Sequence, residues 1–321
     1  MTNLIYIFYL LLLFALSWGY FKIARKYEIV DLPNHRTMHS DATIRGGGIV
    51  IFVGVLVHSL FLKEPSYYFA MGLCLIGITG FLDDLIDLSS KIRLVFQVLS
   101  MLFIVAELSM WSHNIFIIGL VVLIGVGVLN AYNFMDGING ITGGYSFVTI
   151  LTLAYVNNYI HVFVPNEFLF FMLISLLVFN FFNFRKRAVC FAGDVGSLSI
   201  AFIVIYLITK LVDATNQLVY ILFLTLYGID TIFTLIQRLA LKENIFEAHR
   251  LHLFQVGISK TGGSHLYMSL IYIVVQIIIN IIVIITIPMT ILDQMLYLGI
   301  LLSILSLVYI RLKRKLMPEI L

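Results

Sequence analysis

The apolar residues of this chain gather into runs near 20 residues long, separated by short polar stretches. Runs of that length match a hydrocarbon core about 30 Å thick crossed by a helix. The pattern predicts eleven transmembrane helices, over about residues 3–21, 46–62, 66–82, 93–110, 115–132, 141–156, 167–183, 196–212, 217–236, 265–287 and 291–310. Composition agrees: 61% of the 321 residues are hydrophobic, 12% are charged and the mean hydropathy is +1.04. A soluble domain carries about 25% charged residues, so the chain reads as an all-α polytopic integral membrane protein. With no repeat, low-complexity tract or Pro/Gly linker, residues 1–321 form one membrane-embedded domain.

Charge placement orients it. The connections after odd-numbered spans, together with the tail, hold every Lys and Arg except Lys63 and Lys210. Positive loops mark the cytoplasmic face, which puts the N-terminus outside and the C-terminus inside. Lys22, Arg25 and Lys26 follow the first apolar run rather than precede it, so that run is expected to be a retained span. A net charge of +3 makes no case for nucleic acid. Cys74 and Cys190 form neither a disulfide framework nor a metal-ligand spacing.

Five polar clusters fall on the predicted cytoplasmic face. The first, Asp31 to Gly48, carries Arg36, His39 and Arg45 ahead of a glycine triplet; it suits phosphate groups or a positive anchor on lipid. The second places Asp83 and Asp84 at the end of an apolar span, with Asp87 one turn on. Adjacent carboxylates near hydrocarbon repel one another unless a cation sits between them. The third, NAYNFMDGINGITGG from Asn130 to Gly144, offers Asn130, Asn133, Asp136 and Asn139 among glycines that let a backbone approach a ligand closely. In the fourth, Asp194 opens a span between Gly193 and Gly196, as a helix N-cap or as a hard oxygen ligand for Mg²⁺. The fifth contains His249, Arg250 and His252, whose histidines would share a face on a helix and fit pyrophosphate better than a metal. Asp230 lies inside the ninth span with no evident partner. Carboxylates, basic residues and glycines on one face are the parts of phosphoryl transfer.

These stretches, DLPNHRTMHS with RGGG, GFLDDLIDLSSKIR, NAYNFMDGINGITGG, FAGDVGS and HRLHLFQ, resemble in order and spacing the polyprenyl-phosphate N-acetylhexosamine-1-phosphate transferases, relatives of the muramyl-pentapeptide transferases. The likeness runs from about Asp31 to Gln255. It implies transfer of an N-acetylhexosamine-1-phosphate from a UDP-N-acetylhexosamine to undecaprenyl phosphate, with release of UMP. The implied cofactor is Mg²⁺, for which Mn²⁺ could substitute. It implies a place in the bacterial inner membrane, within the lipid bilayer, with the active site on the cytoplasmic side; a homodimer is the assembly entertained. By the same likeness Asp83, Asp84, Asp136 and Asp194 are catalytic, with Asp194, Asp83 and Asp84 toward the metal. Arg36, His39, Arg45, Asn130, Asn133, Asn139, His249, Arg250 and His252 are then substrate-binding. The chain departs from the family pattern at Thr37, where the family often has a lysine in Arg-Lys-x-His, and at FAGD in place of FMGD. Because a phosphate monoester is mostly a dianion at neutral pH, positioning suits Asp83 better than base catalysis. The alternative is a transporter or flippase, which calls for charges at mid-bilayer depth and paired broken helices.

Overall fold

The computed structural model describes residues 2–32, 42–60, 66–244 and 249–317. Arg36 and His39 lie outside them. The elements in order are α1 (Thr2–Lys26), β1 (Val30–Asp31), β2 (Thr43–Ile44), α2 (Ile49–Leu60), α3 (Tyr67–Ile86), α4 (Ser90–Glu107), α5 (Ile115–Met135), α6 (Ile141–Tyr159) and α7 (Asn166–Asn183). There follow α8 (Gly193–Thr215), a 3-10 segment (Leu218–Leu224) that runs into α9 (Thr225–Ala240), α10 (Leu253–Thr261), α11 (His265–Thr286) and α12 (Ile291–Leu316). The two short strands pair antiparallel, Val30 with Ile44.

Each apolar run of the sequence coincides with helix, and the protein is a helical polytopic membrane protein. Among the described residues eight helical segments are long and apolar enough to cross a bilayer. The expected eleven included α2, which has 12 residues, and α4 and α6, which carry polar residues along their length. Hydropathy alone leaves these three unassigned as spans.

The bundle is built around α8. Its residues are buried without a break from Val195 to Ile208, the pattern of a helix that is hydrophobic all round. In a bilayer, helices approach closely where small residues remove side-chain bulk. Here Gly48, just before α2, faces Gly196 of α8, and Gly80 of α3 faces the Asp194 backbone. At the periphery, α1 and α12 turn most of their side chains outward.

An alanine Cβ at Gly48 would fall 2.3 Å from the Gly196 Cα, and backbone cannot swing aside as a side chain can. Gly48→Ala is therefore expected to destabilise the protein by about 1–3 kcal/mol. Thermal unfolding of the detergent-purified variant measures this, and an unchanged midpoint would contradict so close a packing.

Candidate active site

Helix α8 begins in an unusual way. A helix leaves its first N–H groups without partners, and a side chain at the N-cap commonly takes them. No such local cap exists here, and Ala192 occupies the N-cap position. Asp84, at the far end of α3, accepts instead: Oδ1 from the Asp194 N–H at 2.9 Å, Oδ2 from the Val195 N–H at 3.1 Å. Oδ1 also accepts from Arg45 Nε at 2.7 Å. Negative charge at a helix N-terminus is further favoured by the helix dipole. The approach depends on Gly193, whose φ of +69° suits glycine and whose Cβ, if present, would lie 2.5 Å from Asp84 Oδ2.

The arrangement removes the N-cap role that the sequence allowed for Asp194. Its carboxylate caps nothing and is free to face the cavity beside it. It lies against the Asp83 carboxyl group. Asp83 accepts from the Leu88 N–H at 2.6 Å and from Arg93 Nη1 at 3.1 Å. Arg93 also reaches Asp194 at 3.8 Å, and Arg45 does so at 4.0 Å. Three carboxylates braced by two guanidinium groups leave the cluster short of positive charge, in a setting where repulsion is weakly screened.

Asn133 and Asp136, one turn apart at the end of α5, line the same cavity of about 270 Å³ with Asp194, Arg45 and Asn139. Asp136 sits deep among protein atoms with one side open to this space. Burial, reinforced by the Asp84 charge, pushes its carboxyl up to about 7. The folded protein therefore keeps that proton up to about pH 7, whereas an unfolded chain releases it near 3.9. Between those values the folded state binds more protons, so raising the pH weakens folding; above both, the effect is flat. Without divalent cations, the stability of wild type minus that of Asp136→Asn is expected to fall from about pH 4 to pH 7 and then level off. A flat difference in thermal midpoints across that range would show a solvated carboxyl.

The other asparagines have structural partners. Asn139 donates to the Arg185 and Lys186 carbonyls at 2.9 and 3.3 Å, joining the loop before α6 to that before α8, while still bordering the cavity. Asn130 donates to Gln97 Oε1 at 2.9 Å, tying α5 to α4.

The histidine segment is not helical, contrary to the shared helix face the spacing suggests. His252 is the extended N-cap of α10, because Gln255 three residues on closes a capping box with it. The two rings still lie 4.9 Å apart, with Phe134 of α5 beside both. Burial, aided by the charges of His252, Arg238 and Lys313, pushes His249 down to about 3, so it is a neutral imidazole. Permanent positive charge in the segment belongs to Arg250.

Sequence reasoning missed several residues of this region. Arg93 bridges Asp83 and Asp194, yet it counts in the sequence only as a cytoplasmic charge. Asp31, Asn183, Ser197, Gln255 and His265 also line the cavity. Ser197, three residues after Asp194 and so on its face of α8, carries a signal in its spacing alone.

Fold and site together define a class: an integral membrane protein whose helix ends converge on an acidic, arginine-braced cavity. Residues 66–212 match the model of glycosyl transferase family 4. The chain is 30% identical over 246 residues to the undecaprenyl-phosphate alpha-N-acetylglucosaminyl 1-phosphate transferase of Thermotoga maritima, across 74% of this chain and 76% of that one. It is 28% identical over 252 residues to a probable undecaprenyl-phosphate N-acetylglucosaminyl 1-phosphate transferase of Bacillus subtilis, across 72% and 70%. A phospho-N-acetylmuramoyl-pentapeptide-transferase of Halalkalibacterium halodurans is 27% identical over 242 residues, across 64% and 72%. The chain belongs to glycosyl transferase family 4.

Proposed function

We propose that this protein transfers an N-acetylhexosamine-1-phosphate from a UDP-N-acetylhexosamine to undecaprenyl phosphate at the cytoplasmic face of a bacterial plasma membrane. The observation that carries the reading is the meeting of Asp83, Asp194, Arg45 and Arg93 beside one cavity at the helix ends. The relatives named for undecaprenyl-phosphate sugar-1-phosphate transfer support it. The proposed topology has eleven spans, and the loop charges support an odd count with the N-terminus outside.

The donor set suits Mg²⁺. Among the described residues no group of three or more His, Cys, Asp or Glu side chains forms a metal cage. Mg²⁺ needs none, since it commonly binds one or two carboxylates and completes its octahedron with water and substrate phosphates. Asp194 and Asp83 would hold it, with Asp136 within the same cavity; when bound, the ion neutralises charge on the pyrophosphate and the departing UMP. Arg45 and Arg93 brace those carboxylates and offer N–H groups to phosphate oxygens. Asn133 borders the donor's space, and Arg250 with His249 supplies further contacts to its pyrophosphate. An oxygen of the lipid phosphate bonds to the sugar-bearing phosphorus, and the bond from that phosphorus to the bridging oxygen breaks, so that UMP leaves with it. The acceptor is already mostly a dianion at neutral pH, so Asp83 serves by position and charge rather than by removing a proton.

The test is UMP release by purified protein given undecaprenyl phosphate, Mg²⁺ and a panel of UDP-N-acetylhexosamines in turn. Release that needs both the lipid phosphate and the metal is expected, and the best donor identifies the sugar. No release from any donor by folded protein would overturn the reading.

A further inference from the structure

We infer that Asp230, outside the cavity, is a positioning residue for the nucleotide-sugar side of the site, through α10. The inference rests on the transferase reading for what the site binds.

A carboxylate inside an apolar bundle persists only when its oxygens are satisfied. Asp230, in α9, is 1% exposed and gathers donors from four helices. Oδ1 accepts from His252 Nδ1 at 3.2 Å and the Leu253 N–H at 3.1 Å, and from the hydroxyls of Tyr309 and Thr234 at 3.0 and 3.3 Å. Oδ2 accepts from the Tyr272 hydroxyl at 2.6 Å. Lys313 of α12, itself buried, stands one hydroxyl away and donates to Thr234 and Tyr309 at 2.8 and 2.9 Å. None of these groups lines the cavity.

What they hold does. The bonds to His252 and Leu253 fasten the N-terminus of α10, where a negative charge also meets the positive end of the helix dipole. One turn on, Gln255 accepts from the His252 N–H at 3.3 Å and borders the cavity with Asp136 and Asp194. Phe254 is fully buried against Gly137, the residue after Asp136. The first turn of α10 is thus a wall of the site, pinned from behind by one carboxylate. Among the described residues His252 Nε2 has no hydrogen-bond partner, and the ring is held by its Asp230 side. His249, packed on the His252 ring, and Arg250 follow that placement.

The full-length protein tests this by steady-state kinetics and by hydrogen exchange. Asp230→Asn is expected to raise KM for the UDP-sugar at least about tenfold and leave KM for undecaprenyl phosphate within about twofold. Amide exchange over residues 253–257 is expected to accelerate at least about tenfold. Asp230→Glu, which keeps the charge, should recover part of the donor KM. Should Asp230→Asn not yield folded protein, Tyr272→Phe removes one donor and carries the same test at about 2–3-fold in donor KM. Equal movement of both KM values, a fall in kcat alone, or unchanged exchange overturns the inference. A wild type that transfers no sugar phosphate overturns the transferase reading and the donor half of the inference with it, while the exchange measurement still decides whether Asp230 pins α10.

Discussion

Asp194→Asn is expected to lower sugar-phosphate transfer by about 10²–10³-fold without lowering the protein's stability, the scale seen when one preorganised electrostatic group is removed. The asparagine keeps the size of the side chain and loses the charge, so the hard anionic ligand disappears while packing is retained. Folding should be unharmed because the carboxylate caps no helix and is crowded by Asp83 and Asp84. Removing one of three like charges relieves repulsion that Arg45 and Arg93 only partly offset. Initial rates under saturating Mg²⁺, paired with thermal unfolding of the same preparation, make the measurement. Near-normal turnover would end the assignment of the metal to Asp194, and a large drop in midpoint would show the carboxylate to be structural.

The neighbouring change should behave in the opposite way. Asp84→Asn is expected to destabilise the protein by about 3–5 kcal/mol, the usual result of breaking a buried, charge-assisted pair from one side. All of Asp84's hydrogen bonds run toward it: two backbone N–H groups of α8 and Arg45 Nε. An asparagine can accept with one oxygen only, and its NH₂ group would face a donor. With the start of α8 loosened, Asp194 loses its place, and transfer should fall together with stability. A variant with wild-type stability and lost activity would instead place Asp84 in direct contact with metal or substrate. The two substitutions thus separate a residue that acts from one that holds.

The chain alone reveals both aspartates but not which of them acts and which holds. Asp83, Asp84, Asp136 and Asp194 are legible because a carboxylate after or before a long apolar run is costly and needs a reason. Which of them touches the cavity is not legible, because it turns on rotamers and on Gly193 opening the way to α8. Asn130 and Asn133 look equivalent in sequence, three apart on one helix face. Packing separates them, since Gln97 of α4 meets the first while the second borders the cavity. Arg93 escapes notice because a cytoplasmic positive charge already has an explanation. Asp230 stands out as a buried charge, but its partners come from sequence separations up to 79 residues, which no local pattern encodes. Helix α10, with nine residues, is too short to register as an apolar run. The apolar runs were easier to place because the bilayer sets their length; the number that cross is harder, since α2, α4 and α6 are short or polar.

The cap that α3 supplies to α8 also bears on how the molecule is made. Asp84 and Asp194 are 110 positions apart in the chain. At about 5–20 residues per second, translation delivers the second roughly 5–20 s after the first. Through that interval the nascent protein already has its third helix and carries its Asp84 carboxylate without the backbone it will clasp. A ribosome-bound chain that stops short of Gly193 therefore lacks both Asp194 and the backbone that holds Asp84. The cavity closes later still, once α10 and α11 have followed the eighth helix and brought Gln255 and His265 to its wall.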